Sequence, residues 1–287
     1  MLGGCSHIQL LNPEGDIGAQ EKTLILVSLG LMLLVVIPVI VLTLFFAWRY
    51  RASNSKAIYA PTWAHSTAIE VVVWTIPCII VAILAVIVWR TTHSLDPYKP
   101  LKADAAPVRV EVVALNWKWL FIYPDYGVAA VNRLTIPVNT PVNFKITSDS
   151  IMNSFFIPQL GSQVYAMAGM QTQLHLIASR SGTYSGLSSA FSGPGFSDMH
   201  FDTVVTGSQE FDAWIRQARQ SRLILDRPAY RSLALPSIKA PVRVYAGVEP
   251  GLFEDVVNQY MSAQASMSPA NRHEMGMAQA PKPEGKR

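Results

Sequence analysis

The chain has 287 residues, half of them hydrophobic and only 15% charged, against about 25% in ordinary soluble domains, which excludes a plain soluble globule. A net charge of +4 raises nucleic acid as a partner, yet the basic residues are scattered and form no stripe with interleaved aromatics, so that class is excluded too. Only two cysteines, Cys5 and Cys78, are present, too few and too far apart for a disulfide framework or a Cys-rich metal site.

In chain order, residues 1–23 form an N-terminal segment carrying Glu14, Asp16 and Glu21. Residues 24–48 are uncharged and apolar, longer than the roughly 20 residues that a bilayer-spanning helix needs. Pro38 lies inside this run; spanning helices tolerate proline with a kink. The loop 49–70 holds Arg49, Arg51 and Lys56 and no acid before Glu70. A second apolar run, 71–92, contains Pro77 and ends near Trp89 and Arg90, the aromatic and basic anchors of a membrane interface. The basic loop between two spans belongs in the cytoplasm by the positive-inside rule. The N-terminus and everything after the second span then face outward, which in a bacterium means an inner-membrane protein with a periplasmic domain.

After a linker, 93–107, the pattern becomes period-two: VRVEVVAL from Val108, VNFKITS from Val142, TQLHLIAS from Thr172 and FDTVVTG from Phe201. Short alternating runs bounded by Gly, Pro, Asn and Ser are strands. They predict an antiparallel sandwich or Greek-key barrel over 108–207, with functional residues on its end loops. The stretch 208–262 reads as a helical extension: Phe211, Trp214, Ile215 and Ala218 recur at helical spacing behind Ser208, a candidate cap, and a weaker amphipathic stretch begins near Gly251. Residues 263–287, rich in Met, Ala, Pro and Lys, lack the hydrophobes to fold and predict a disordered tail.

This order of parts, together with Trp63-Ala64-His65-Ser66, the stretch from Glu70 through Trp74-Thr75-Ile76-Pro77, the aromatic run Trp117-Lys118-Trp119, and the stretch from Asn153 through Pro158 to Met170, resembles subunit II of the haem-copper oxidase superfamily over about residues 15–253. The resemblance implies a two-helix transmembrane hairpin plus an all-β cupredoxin-like sandwich with short C-terminal helices. In the cytochrome c oxidase branch that sandwich holds two coppers bridged by thiolates. The pattern there is a histidine before a Ser-aromatic pair, then Cys-x-Glu-x-Cys-x3-His-x2-Met. Here the corresponding residues are Asn153, then Ser188, Ala190, Ser192, Phe196 and Met199, so only Met199 is retained. Hydroxyls, an amide and a phenyl ring do not supply the soft thiolate donors such a site needs, and the resemblance narrows to the copper-less, cytochrome bo-type ubiquinol oxidase branch.

That branch implies a non-catalytic subunit of a proton-pumping ubiquinol oxidase. This chain would bind no metal and no cofactor; two haems and one copper would lie in subunit I, with ubiquinol as the electron source. Implied partners are subunit I, subunits III and IV and the lipid bilayer, with no role for cytochrome c. By the same resemblance Glu70 stands at the mouth of a proton pathway; the alternative from the residues alone is a carboxylate anchoring a helix end at the interface. Trp117 and Trp119 are expected to pack at the interface with subunit I. Cys5 follows Leu2-Gly3-Gly4, like the end of a lipoprotein signal, with too short an apolar stretch before it. Either the true start lies upstream and Cys5 is acylated, or it is an ordinary thiol. Cys78 is expected to be a small buried hydrophobe, and His175 and His200 structural. Met199 with His200, and His273, Met275 and Met277 in the tail, are weaker candidate copper ligands. Competing readings are an electron-transfer subunit of a cytochrome c oxidase, which the missing thiolates oppose, and a stand-alone membrane-tethered cupredoxin-like binding or assembly protein.

Overall fold

The computed structural model describes residues 9–58, 66–101, 103 and 105–266. Cys5, residues 63–65 and the tail candidates His273, Met275 and Met277 lie outside the described residues. The chain divides into two compact units, Ala19–Asp96 and the remainder.

The helical unit consists of most of α1 (Asp16–Arg49) and α2 (Thr67–Ser94), both long and apolar enough to cross a membrane. α1 starts well before the uncharged run, at Asp16, whose carboxylate sits in the first turn where it favours the positive end of the helix dipole. Pro38 and Pro77 lie inside their helices. Cys78 corrects the expectation of burial: it is exposed on this chain, on a helix that buries only Ile80 against the described residues and whose apolar surface on all sides suits a membrane span.

The other unit is built on two sheets. Its strands are β1 (Val108–Leu115), β2 (Lys118–Tyr123), β3 (Val128–Val131), β4 (Arg133–Pro137), β5 (Val142–Ser148), β6 (Asn153–Ile157), β7 (Gly161–Ala166), β8 (Thr172–Leu176), β9 (Gly182–Ser188) and β10 (His200–Thr206). After these come α3 (Ser208–Ala218), β11 (Ile224–Leu225), α4 (Arg227–Ala234), β12 (Arg243–Tyr245), β13 (Gly247–Val248) and α5 (Leu252–Ser266). One sheet runs β12-β3-β2-β1-β5-β8 and the other β4-β10-β9-β6-β7. The sandwich is mixed, not antiparallel as the alternation predicted: β1 pairs parallel with β5, and β4 parallel with β10. Each parallel pair joins strands that are not consecutive, so the chain crosses between sheets before returning, which period-two patterning cannot reveal.

Alternation sorts the six-stranded sheet's side chains onto two buried faces. Val110, Val112, Trp119, Phe121 and Tyr123 point into the space between the sheets with Phe144, Phe155 and Phe201. Val113, Leu115, Leu120 and Ile122 point the other way, under Leu225, Tyr230, Leu233, Tyr245, Leu252, Phe253 and Val256 of the C-terminal stretch. This is why every residue of β2 is buried. At about 1.5–3 kcal/mol per buried large apolar side chain, the second face is a full core. The C-terminal stretch holds the expected short helices and also strands that the sequence did not predict: it contributes β12 to the main sheet, and α5 runs to Ser266, four residues into the segment expected to be disordered. Gly207, not Ser208, precedes α3; its N–H donates to the Glu210 carboxylate at 3.2 Å.

The N-terminal segment is stitched to this unit. Glu14 N–H donates to Gln159 O at 2.7 Å and Gly18 N–H to Leu160 O at 3.1 Å, Ser179 N–H donates to Glu14 O at 2.7 Å, and Gly15 bridges Ala178. Gly161, at φ +107°, lets the backbones meet: a Cβ there would lie 2.8 Å from Gly18 N.

Candidate functional site

The site lies at one end of the sandwich, where the β1–β2 turn, the β5–β6 loop and the β9–β10 loop converge. Asn153, the first residue of β6, is buried; its Nδ2 donates to Ile151 O at 2.9 Å, and its Oδ1 accepts from Ser188 Oγ at 3.2 Å. Ser188 closes β9 and its Oγ also accepts from Ser154 N–H at 3.3 Å. Its backbone N–H reaches Met199 O at 3.3 Å. Ser192 Oγ lies 3.9 Å from Met199 Sδ, both residues buried. Phe196 opens a 3₁₀ turn (Phe196–Asp198) and packs edge-on against Phe191 with ring centroids 5.5 Å apart.

Trp117 covers this cluster. It occupies a left-handed backbone conformation, φ 61°, which costs a non-glycine residue roughly 1–2 kcal/mol. Its indole N–H donates to Ser192 O at 2.8 Å, and the ring lies against Gly195, where an added Cβ would stand 2.5 Å from ring carbons. Trp119 is corrected from the interface to the core: it is fully buried, with Phe155 and Phe201 at 5.4 and 5.7 Å, and has no surface to offer a partner. Its indole N–H finds no acceptor among the described residues.

The structure therefore brings Asn153, Ser188, Ser192 and Met199 together beneath Trp117. The donors available are one neutral amide, two hydroxyls and one thioether, mutually satisfied by hydrogen bonds. Dinuclear copper needs bridging thiolates and imidazoles, and these residues do not fit it. Met199 and His200 do not form a site: Met199 is buried, whereas His200 is exposed with Nε2 2.6 Å from Ser197 O. His175 is structural, its Nδ1 2.8 Å from Asn143 Oδ1 and its pKa lowered by burial. Glu70 is exposed in the first turn of α2.

Two polar hubs escaped the sequence reading. Lys118 is buried, and its ammonium donates to Leu233 O at 2.8 Å, Leu235 O at 2.7 Å and Ser237 Oγ at 2.6 Å; burial lowers its pKa, with Arg243 adding to the effect. Asp149 accepts from Tyr230 Oη at 2.6 Å, from Tyr260 Oη at 2.9 Å and from Gln259 Nε2. Burial, and then the Asp149 carboxylate, raise the Tyr230 phenol's pKa, and the same two influences push Tyr260 up to about 12. The signal was a lysine in an otherwise apolar strand and a C-terminal stretch studded with aromatics.

Fold and site together define a membrane-anchorable cupredoxin-like domain of the oxidase subunit II class, with donors unsuited to copper. Residues 126–206 match the family described as "Cytochrome C oxidase subunit II, periplasmic domain", and residues 219–264 match "COX Aromatic Rich Motif". Cytochrome bo(3) ubiquinol oxidase subunit 2 of Pseudomonas putida is 52% identical over 260 residues, 91% of this chain and 82% of that protein. Ubiquinol oxidase subunit 2 of Acetobacter aceti is 56% identical over 262 residues, 91% of this chain and 85% of that protein. Among solved structures, the periplasmic domain of subunit II of cytochrome oxidase of Bradyrhizobium japonicum aligns with 42% of this chain and 98% of its own, at 22% identity and a TM-score of 0.40. The chain belongs to the ubiquinol oxidase subunit 2 family.

Proposed function

We propose that this chain is the non-catalytic subunit II of a proton-pumping ubiquinol oxidase in a bacterial inner membrane. On this reading its two helices dock against a haem-copper subunit I that carries two haems and one copper, with subunits III and IV completing the complex. Its β unit caps the periplasmic face, the loop 49–70 is cytoplasmic, and Cys5 is acylated at the periplasmic surface. The observation that carries the reading is the filled site: Asn153, Ser188 and Ser192 are buried where soft ligands would be needed, with Asn153 and Ser188 bonded to each other and to the backbone and Ser192 bonded to the Met199 thioether. Such a domain has no redox centre with which to accept electrons from cytochrome c. Electrons from ubiquinol therefore enter the complex elsewhere, and this chain contributes assembly and a path for protons.

Glu70 is the proposed proton-uptake group. An exposed carboxylate in the first helical turn, near the proposed cytoplasmic surface, is hydrated and able to exchange protons with bulk water. Affinity purification of the tagged full chain from its native membrane in mild detergent tests the proposal. A haem-containing partner with quinol-dependent oxygen uptake is the expected result. A chain that purifies alone, or with a partner that oxidises cytochrome c and not quinol, overturns it.

A further inference from the structure

The residues on both sides of Trp117 are gripped by the same stretch of chain. Asn116 Nδ2 donates to Ala234 O at 3.3 Å, and Lys118 Nζ holds Leu233 O, Leu235 O and Ser237 Oγ. A few residues on, Asn132 Nδ2 donates to Ala240 O at 2.8 Å, and Lys239 Nζ stands 3.7 Å from the Asp198 carboxylate in the β9–β10 loop. The β5–β6 loop is held from the same stretch, through Asp149 and its donors on α4 and α5. Each loop that frames the filled site is thus tied, directly or through Trp117, to residues 230–260.

A bound metal draws loops from separate strands into one geometry, because its ligands are fixed only once it binds. Without one, the left-handed Trp117 and the long β9–β10 loop need another source of order. The hydrogen bond from Trp117 to Ser192 O cannot supply it alone, since it joins two segments of the same end. We propose that the C-terminal arm, residues 219–264, replaces the metal as the organiser of this face, with Lys118 and Asp149 as its two positioning residues. The proposal rests on the reading of Asn153, Ser188, Ser192, Phe196 and Met199 as lost copper positions. The chemistry is suited to permanence. Lys118 satisfies its three N–H groups with neutral acceptors inside a buried pocket, and Asp149 is a carboxylate receiving three donors; hydrogen bonds to a charged group are about twice as strong as neutral ones. Both hubs sit on the outer side of the six-stranded sheet or at its end, so the ordering is transmitted through β1, β2 and β5 to the site.

Hydrogen–deuterium exchange on the purified complex separates this role from general stability. Two variants are compared with wild type: Tyr230→Phe/Tyr260→Phe, which removes both phenol donors from Asp149, and Lys118→Met, which removes the buried ammonium. Exchange at backbone amides of 149–153 in the first, and of 188–199 in the second, is expected to accelerate about tenfold, the equivalent of one lost charge-assisted hydrogen bond. Strands β4 and β10 should keep wild-type protection. If Lys118→Met does not fold, the tyrosine pair still decides, because phenylalanine keeps both rings and their packing and removes only the two hydroxyls. Wild-type exchange in both loops, or equal acceleration across the whole sandwich, overturns the proposal. Copper in the wild-type β unit would instead overturn the reading beneath it, whatever the exchange rates.

Discussion

Tyr123→Phe removes one oxygen atom from the centre of the sandwich. Tyr123 belongs to β2 in one sheet and is fully buried; its hydroxyl donates to Thr135 O at 2.9 Å and accepts from Thr135 N–H at 2.8 Å. Thr135 lies on β4, the edge of the other sheet, so one phenol closes the backbone pairing of an edge strand that has β10 on one side only. Phenylalanine keeps the ring and its packing against Trp214 at 5.1 Å, but leaves a buried N–H and a buried carbonyl without partners. Each orphaned group costs about 1–3 kcal/mol, so a loss of about 3 kcal/mol is expected. In a unit of this size that corresponds to a fall of roughly 6–12 °C in Tm. Thermal and urea unfolding of the full chain in detergent, followed by tryptophan fluorescence, measures it. Tyr165→Phe, at an exposed position, serves as control and should change stability by less than about 0.5 kcal/mol. A Tyr123→Phe variant within about 1 kcal/mol of wild type would refute the reasoning.

Glu111 is half-buried, and its pKa is raised from 4.5 to about 6, by burial first and by the Glu254 carboxylate second, against the opposing charges of Lys145 and Arg109. The folded unit prefers the neutral acid, so the stability it contributes is complete below pH 4.5 and is lost as pH rises through 6. Glu111→Gln should therefore stabilise the chain at pH 7.5 by on the order of 1 kcal/mol after allowance for solvent screening, and by nothing near pH 4; urea titrations at both pH values measure the difference. Gly195→Ala would press a methyl group into the Trp117 ring and should cost about 1–3 kcal/mol by overpacking, with a shift in tryptophan emission and no loss of the partner. Glu70→Gln should lower quinol-dependent oxygen uptake of the purified complex several-fold while Glu70→Asp restores much of it. Equal rates in both would reduce Glu70 to a helix-end anchor.

The spans were legible because lipid imposes a length and an absence of charge, and both helices contain the predicted runs. β1 and β5 were legible from alternation, with β8 and β10 predicted to within a few residues. β2 was not, because a strand buried on both faces, KWLFIY, has no polar alternate to mark its period. The mixed pairing and the membership of β12 were invisible for a different reason: they are long-range choices that no local pattern encodes. The cluster beneath Trp117 was legible only through the family resemblance, whose ligand intervals Ser188, Ser192 and Met199 match. Its covering was not, because Trp117 acts through a left-handed turn and through glycines whose purpose shows only in contact. Trp119 was misread since a large aromatic serves an interface or a core equally well, and only the fold shows that β2 turns its ring between the sheets while Trp117 stands in the β1–β2 turn. Lys118 and Asp149 could not be recognised as hubs, because their side-chain partners come from the C-terminal stretch, more than 80 residues away in sequence.

Copper analysis of this subunit, separated from an active complex without chelators, tests the central claim most directly. The account predicts quinol-dependent oxygen uptake in the intact complex, copper in the haem-bearing fraction and none stoichiometric with this chain. Two coppers per chain would contradict it and restore an electron-accepting role to the β unit.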